Sequence, residues 1–382
     1  MTTDILLQPI KLGEIELPNR IVMASMSRAR TENAALIPTP LQAEYYQQRA
    51  SAGLILTEGT WPSREAIGAI NVPGLFTEEQ AEGWKRVTDA VHKAGGRIIV
   101  QLGHCGAVSH PDLLGGSLPL APSAVSVNQQ VFTPDGFHTS PVPAAMTLDD
   151  ISRTIGDYAN ATRLAQKAGF DGVELHGTVG YLIPEFLSDA FNLRDDDYGG
   201  SVENRVRFPL DVLKAMASEW RPGRVGLKLS PAVSMGDFRP TAQTLPTYEH
   251  LVAQVSKLKI AYIQFQDSDA DFAGTPVESL KDGTAGYFRK FYDGLIIANG
   301  GLNRGTAETL VQAEMADLVA FGTPFLSNPD LVERFRDDVA LAPVPSRETW
   351  YAGGAQGYAD YPARPPKRFA RQTDRKADAN QT

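Results

Sequence analysis

Short runs of consecutive apolar residues recur along the chain, and each is followed by a longer stretch whose apolar positions repeat with helical spacing. The runs cover residues 21–24, 54–57, 97–101, 172–176, 225–229, 261–265, 295–299 and 318–321. Runs this short, β-branched and bounded by turn residues, read as parallel strands buried on both faces. Helices are predicted between them, over about 41–52, 78–94, 148–168, 203–219, 248–258, 307–313 and 330–339. Several predicted helix ends run into glycine, at Ala52-Gly53, Gly95-Gly96 and Ala168-Gly169, where a left-handed cap is expected. Eight strands alternating with helices predict an α/β fold, a single (β/α)₈ TIM barrel. A doubly wound open sheet would carry a Gly-rich phosphate loop after its first strand. Ser25-Met26-Ser27-Arg28 stands there instead.

The spacing is uneven, and that changes the picture. Residues 103–146, rich in Gly, Pro and Ser, form a long insertion after strand three, where a barrel carries active-site lids. Residues 266–286 are a second such candidate. The barrel is expected to occupy 1–365, and 366–382 to be a flexible polar tail.

Composition narrows the class. Of 382 residues, 42% are hydrophobic, enough for a large core. With 36 Lys and Arg against 45 Asp and Glu the net charge is −9, which argues against a nucleic-acid partner. No run of about 18 apolar residues marks a membrane span, and residues 1–9 do not read as a signal peptide. The single cysteine, Cys105, excludes a disulfide framework, and no metal site is expected. These features predict a cytoplasmic enzyme, monomer or homodimer, acting on a small molecule.

In a barrel, polar residues at strand C-termini face the active site. Those ends supply Ser25 and Ser27, Glu58 and Thr60, Gln101 and His104, then Glu174, His176 and Tyr181, then Lys228 and Ser230. Gly59 falls in the same set. Asn299-Gly300-Gly301 and Gly322-Thr323 follow strands seven and eight, the usual phosphate cradle of a barrel. The alternative there is a pair of ordinary strand-to-helix turns. His176 and Tyr181 follow one strand and can converge on one substrate atom, the His holding a carbonyl oxygen and the Tyr giving a proton. A hydrogen-bonded core His and a packed Tyr are the plain alternative.

Longer strings carry a resemblance. Leu17-Pro18-Asn19-Arg20-Ile21, Glu44-Tyr45-Tyr46, Asp171-Gly172-Val173-Glu174-Leu175-His176-Gly177, Gly180-Tyr181-Leu182-Ile183, Asn192-Leu193-Arg194-Asp195, Tyr198-Gly199-Gly200-Ser201, Ser327-Asn328-Pro329-Asp330-Leu331 and Gly357-Tyr358-Ala359-Asp360-Tyr361-Pro362 resemble the old yellow enzyme family of FMN-dependent ene reductases. The likeness runs from about residue 7 to 362. It implies FMN at the barrel mouth, reduced by NADPH or NADH. The flavin then gives a hydride to the β-carbon of an activated alkene. By position, Tyr181 matches the proton donor and His176 the first residue of the pair that grips the substrate carbonyl. Gln101 matches the residue at the flavin pyrimidine edge, Ser27 the one near the flavin O4, and Tyr351 an aromatic lining the pocket. Ser25, Gly59, Lys228, Asn299, Gly300, Gly301, Gly322 and Thr323 complete the expected cofactor set.

The departures bear on function as much as the matches do. The second carbonyl-gripping position is Val179, which has no donor. Gly103 replaces a Trp, so the resemblance implies room for a bulky α,β-unsaturated carbonyl compound, reduced or isomerised at its C=C bond, in specialised metabolism. Ala107 replaces an Arg, Lys228 the Arg at the flavin N1/O2 edge, and Thr323 the Arg that binds the FMN phosphate. These changes leave a second expectation beside the first. The scaffold, with flavin weakened or lost, would catalyse acid–base isomerisation or cyclisation through His176 and Tyr181.

Overall fold

The computed structural model describes residues 4–268 and 270–363; the expected tail from 366 onward lies outside them. Eight parallel strands close into a barrel. They are β1 (Ile21–Met23), β2 (Leu54–Thr60), β3 (Ile98–Leu102), β4 (Gly172–Gly177), β5 (Val225–Leu229), β6 (Tyr262–Gln266), β7 (Leu295–Asn299) and β8 (Leu318–Phe321). Each pairs with the next in chain order, and β8 returns to β1 through Val319 with Ile21 and Phe321 with Met23. All eight predicted runs lie on these strands, and the closed ring rules out the open sheet.

Six predicted helices match Pro40–Gln47, Glu78–Lys93, Leu148–Lys167, Thr244–Leu258, Arg304–Gln312 and Leu331–Arg336. Thr39, Thr77 and Thr147 start three of them with reciprocal capping boxes. The helix expected over 203–219 is two, Val202–Arg205 and Arg207–Glu219. Pro209 has no N–H to give the Arg205 carbonyl, so the ladder breaks there. Helices Leu182–Leu187, Thr284–Phe288 and Thr323–Ser327 fall outside the predicted set, being too short for a 3.6-residue pattern to declare itself.

Alternate strand residues face the barrel interior. There Val22, Leu54, Leu56, Ile99, Ile297 and Leu318 form one apolar cluster. An antiparallel hairpin, Ile10–Leu12 with Ile15–Leu17, adds Leu12, Ile15 and Leu17 to that cluster. It sits at the N-terminal ends of the strands. Glu14 N–H donates to the Gly223 carbonyl, 3.2 Å away, just ahead of β5. The hairpin is therefore a plug for the bottom of the barrel, and the mouth stays free for chemistry. Asn19 Oδ1 accepts from the N–H groups of Ile21 and Gly53, at 3.0 and 2.9 Å, and so locks the entries of β1 and β2 together.

The insertion at 103–146 carries a hairpin, Gln130–Thr133 with Gly136–Thr139, and a short pairing of Leu120–Ala121 with Ala144–Ala145. Its Val127 and Val131 join Cys105, Ala107, Trp61, Phe191 and Phe238 in a separate apolar cluster, with Tyr181 packed against it.

Gly13 turns the plug hairpin at φ +56°, and a Cβ added there would lie 2.4 Å from the Gly223 carbonyl oxygen. Gly13→Ala is expected to destabilise the fold by about 2–4 kcal/mol, from left-handed backbone strain plus overlap. Urea denaturation measures this. An unchanged midpoint would show that the hairpin does not plug the barrel.

Candidate active site

A cavity of about 390 Å³ opens at the C-terminal ends of the strands. Ser25, Ser27, Gly59, Gln101, Gly103, His176, Val179, Tyr181, Lys228, Gly322, Thr323 and Tyr351 all line it, so most of the predicted site is brought together. Asn299, Gly300 and Gly301 lie outside its wall. The Asn299 amide donates to the Ala320 carbonyl at 3.0 Å, and Gly300, at φ +114°, passes close over Asp267 on the way to the helix Arg304–Gln312. Glu58 points away from the cavity. Its carboxylate accepts from the N–H groups of Arg28 and Ala29, at 3.0 and 3.2 Å, and burial pushes it up to about 7.

The floor is a polar chain across strands. Ser25 Oγ donates to Gln101 Oε1 at 2.7 Å, and Gln101 Nε2 donates to Glu174 Oε1 at 2.7 Å. This ties the end of β1 to β3 and β4. An amide has two N–H groups and two lone pairs, so Gln101 keeps one of each for a ligand. Tyr262 crosses to Glu174 over Gly226, where any Cβ would overlap the phenol ring. Lys228 lies beside His176 and Gln264 in strand register and is almost fully buried. Burial lowers its ammonium and raises the Glu174 carboxyl, while each attracts the other back toward charge.

His176 and Tyr181 stack with ring centroids 5.2 Å apart. His176 Nδ1 is buried with no protein partner, and Nε2 lies 3.3 Å from Thr178 Oγ1. Burial first, then Lys228, pulls the imidazole down to about 3, so it is neutral at physiological pH. The Tyr181 phenol is held well above its ordinary value, by Cys105 first and then by burial. Val179 adopts φ +68°. A β-branched residue in that region is strained, whereas Asn tolerates it. A Cβ at Gly103 would come 3.3 Å from the His176 Cβ, so the missing side chain is one that would crowd the imidazole.

Met26, Arg28, Trp61, Thr178, Gln266, Leu326 and Trp350 also line the cavity and were not singled out by the sequence. Gln266 closes β6 and obeys the same strand-end rule as the others, so that rule, applied to every strand, finds it. Trp61 follows the end of β2 and carries an indole N–H, buried without a partner, but it is neither acid nor base and a search for those passes it by. Arg28 and Trp350 are brought together from opposite ends of the chain, with Arg28 Nε donating to the Trp350 carbonyl at 3.0 Å.

A planar, anionic cofactor fits this set. The cavity has the size of a small-molecule site, and two buried cations, Arg28 and Lys228, line its wall. Gly59 leaves open space beside Gln101, since a Cβ there would meet only Gln101 Oε1 at 3.7 Å. At Gly322 a Cβ would touch nothing nearer than 3.4 Å. The short helix Thr323–Ser327 starts there, but Pro324 has no N–H and Phe325 gives its own to the Gly322 carbonyl at 2.9 Å, so Thr323 is the residue that can meet an anion.

A closed parallel barrel with a stacked His–Tyr pair and a polar floor at its mouth is the architecture of a barrel enzyme acting on a small molecule. The sequence matches the NADH:flavin oxidoreductase / NADH oxidase family over residues 5–341, and the chain belongs to that family. It is 38% identical to 12-oxophytodienoate reductase 1 of Oryza sativa, over 94% of this chain and 92% of that one. It is 36% identical to flavin oxidoreductase hxnT of Emericella nidulans, over 94% and 97%. The structure is similar to morphinone reductase in complex with tetrahydroNAD, with TM-score 0.87, 39% identity and coverage of 94% and 98%. It is also similar to the old yellow enzyme homologue of Zymomonas mobilis, with TM-score 0.87, 37% identity and coverage of 94% and 99%. This is an old-yellow-enzyme-type oxidoreductase, with FMN and a nicotinamide reductant as the family's cofactors.

Thr323 lines the cavity with a hydroxyl where a guanidinium would give a bidentate phosphate contact. Thr323→Arg is expected to tighten FMN binding about tenfold, the order of one charge-assisted pair. Quenching of FMN fluorescence on titration reads this directly. Weaker binding would show that the phosphate does not reach Thr323.

Proposed function

We propose that this protein reduces the C=C bond of a bulky α,β-unsaturated carbonyl compound of specialised metabolism. The observation that carries the reading is the stacked His176–Tyr181 pair on the cavity wall, both members neutral at physiological pH. When bound, FMN supplies the hydride that NADPH or NADH has given it. Ser25, Ser27, Gly59, Gln101 and Lys228 are the groups that would hold its ring system. Gly322 and Thr323, on the cavity wall, would meet its phosphate, while Asn299, Gly300 and Gly301 stand behind that wall.

The chain's own residues divide the remaining work. His176 has a free ring nitrogen in the cavity wall, and as a neutral imidazole it donates a hydrogen bond to the substrate carbonyl without giving up a proton. Polarising that carbonyl draws electron density from the β-carbon and makes it a hydride acceptor. Tyr181 then delivers its phenolic proton to the α-carbon, where negative charge has gathered. Val179 contributes no second donor, so the oxygen is gripped from one side only. The place left free by Gly103 and the apolar face of Val179 favour a substrate with a large hydrocarbon skeleton. The insertion at 103–146, packed against Tyr181 through its apolar cluster, excludes water from that side.

Purified protein is expected to be yellow and to be reduced by NAD(P)H. Tyr181→Phe should lower the rate of alkene reduction by about 10²–10⁴, the range for a positioned proton donor, and leave flavin reduction unchanged. Stopped-flow measurement of the two half-reactions separates these. Colourless protein that turns over without flavin would instead establish acid–base isomerisation or cyclisation on the same pair.

Val179→Asn places a donor opposite His176 in a backbone conformation that Asn tolerates. It is expected to raise both the melting temperature and kcat/KM for small enones, the latter by about 10²-fold if the second donor is fully engaged. A fall in both would show that the Val179 side chain is needed where it stands.

A further inference from the structure

Tyr181 is the last residue before the helix Leu182–Leu187, and Glu185 lies one turn into that helix, its N–H donating to the Tyr181 carbonyl at 2.9 Å. The Glu185 side chain is almost completely buried. It reaches across to the loop that follows β3. Glu185 Oε1 accepts from the Ala107 N–H at 2.8 Å, and Oε2 has no partner. Gly106, at φ +60°, passes directly over the carboxyl, where any Cβ would overlap Oε2. A second bond joins the same two segments, from the Leu182 N–H to the His104 carbonyl at 3.1 Å. Between these attachments sits Cys105, buried against Gly68, in the apolar cluster on which Tyr181 packs.

We propose that Glu185 is a positioning residue for the proton donor: by holding the Ala107 N–H it fixes the loop 103–107 so that Cys105 Sγ receives the Tyr181 hydroxyl. The reason for such an arrangement lies in the acceptor. Sulfur is a weak hydrogen-bond acceptor, so it aims the phenolic proton without competing strongly for it. A hydroxyl or carboxylate in the same place would hold the proton more firmly. Three groups face the Tyr181 hydroxyl from the elements packed on it. Cys105 lies on the β3 loop, His176 on β4 is neutral, and Tyr351 comes from the C-terminal segment. Glu185 itself is driven toward its neutral form by burial, opposed by the Ala107 N–H, so it anchors without adding charge beside the phenol.

This inference rests on Tyr181 as the proton donor, but its test does not. In holoenzyme, phenolate absorbance between about pH 8 and 11 is followed as a difference spectrum against a matching Tyr181→Phe variant. The native enzyme should show no Tyr181 ionisation in that window. Glu185→Leu and Cys105→Ala should each bring it in, and Glu185→Gln, which keeps an acceptor for Ala107, should restore the native behaviour. The alkene-reducing half-reaction should fall about tenfold in Glu185→Leu with flavin reduction unchanged, because only the proton step depends on the phenol's direction. If neither Glu185→Leu nor Cys105→Ala moves the ionisation, the proposal is overturned; should Glu185→Leu not fold, Cys105→Ala and Glu185→Gln decide it alone. A Tyr181→Phe enzyme of native rate would remove the proton-donor role while leaving the spectroscopic result to stand or fall separately.

Discussion

The roof of the site is a stretch of chain whose one regular element is the 3-10 turn Arg347–Thr349, and two guanidinium groups hold it in place. Arg28 and Arg30 follow β1 directly. Arg28 donates to the carbonyls of Trp350 and Gly357, at 3.0 and 2.8 Å, and to the Tyr45 hydroxyl. Arg30 donates to the carbonyls of Thr349, Trp350 and Ala352. Irregular backbone near a protein interior leaves carbonyls that need donors, and a guanidinium supplies five in a rigid fork. Tyr45 and Tyr358 stack at 4.0 Å, with Arg28 against both rings, so the segment around Tyr358 is also pinned to the first barrel helix. Trp350 and Tyr351 reach the cavity only because these contacts bring them there.

Below that roof the barrel divides into two zones. The lower strand layers and the buried face of the plug hairpin share one apolar cluster, while the upper layer carries Ser25, Gln101, Glu174, Lys228 and His176. Polar groups raised this far out of water must satisfy one another or lose their charge. The site does both. Ser25, Gln101 and Glu174 close a chain of bonds across three strands, and His176 and Tyr181 stay neutral. A neutral donor beside a neutral acid is suited to polarising a carbonyl and then handing over a single proton.

The barrel was legible because its strands are continuous apolar runs, and the site because its polar groups stand at the ends of those runs. Asn19, in one of the matched strings, and Arg49, just beyond another, turn out to be joints. Asn19 locks two strand entries, and Arg49 donates to the carbonyls of Phe325 and Leu326 across the ring closure. What stayed hidden depends on three-dimensional neighbours. Nothing in the string His176-Gly177-Thr178-Val179 says that Val179 takes a left-handed backbone. Cys105 reads as an isolated thiol until Tyr181 is folded onto it, and Glu185 reads as an ordinary helix carboxylate until Gly106 lies across it. Trp61 and Trp350 escaped because neither is an acid or a base, and a search for acids and bases does not see them.

Ring closure joins the earliest strand to the last one, Ile21 with Val319 and Met23 with Phe321. On a ribosome the chain appears N-terminus first, and strand pairs far apart in sequence form late. Until β8 emerges, β1 has an open edge, the Ser25 side of the mouth has no neighbour, and Arg28 and Arg30 have no carbonyls to hold. The pocket is thus among the last features of the molecule to exist. Its cofactor must be captured after synthesis, from whatever free flavin the cell holds at that moment, so the supply of flavin bears on how much of the newly made protein becomes active.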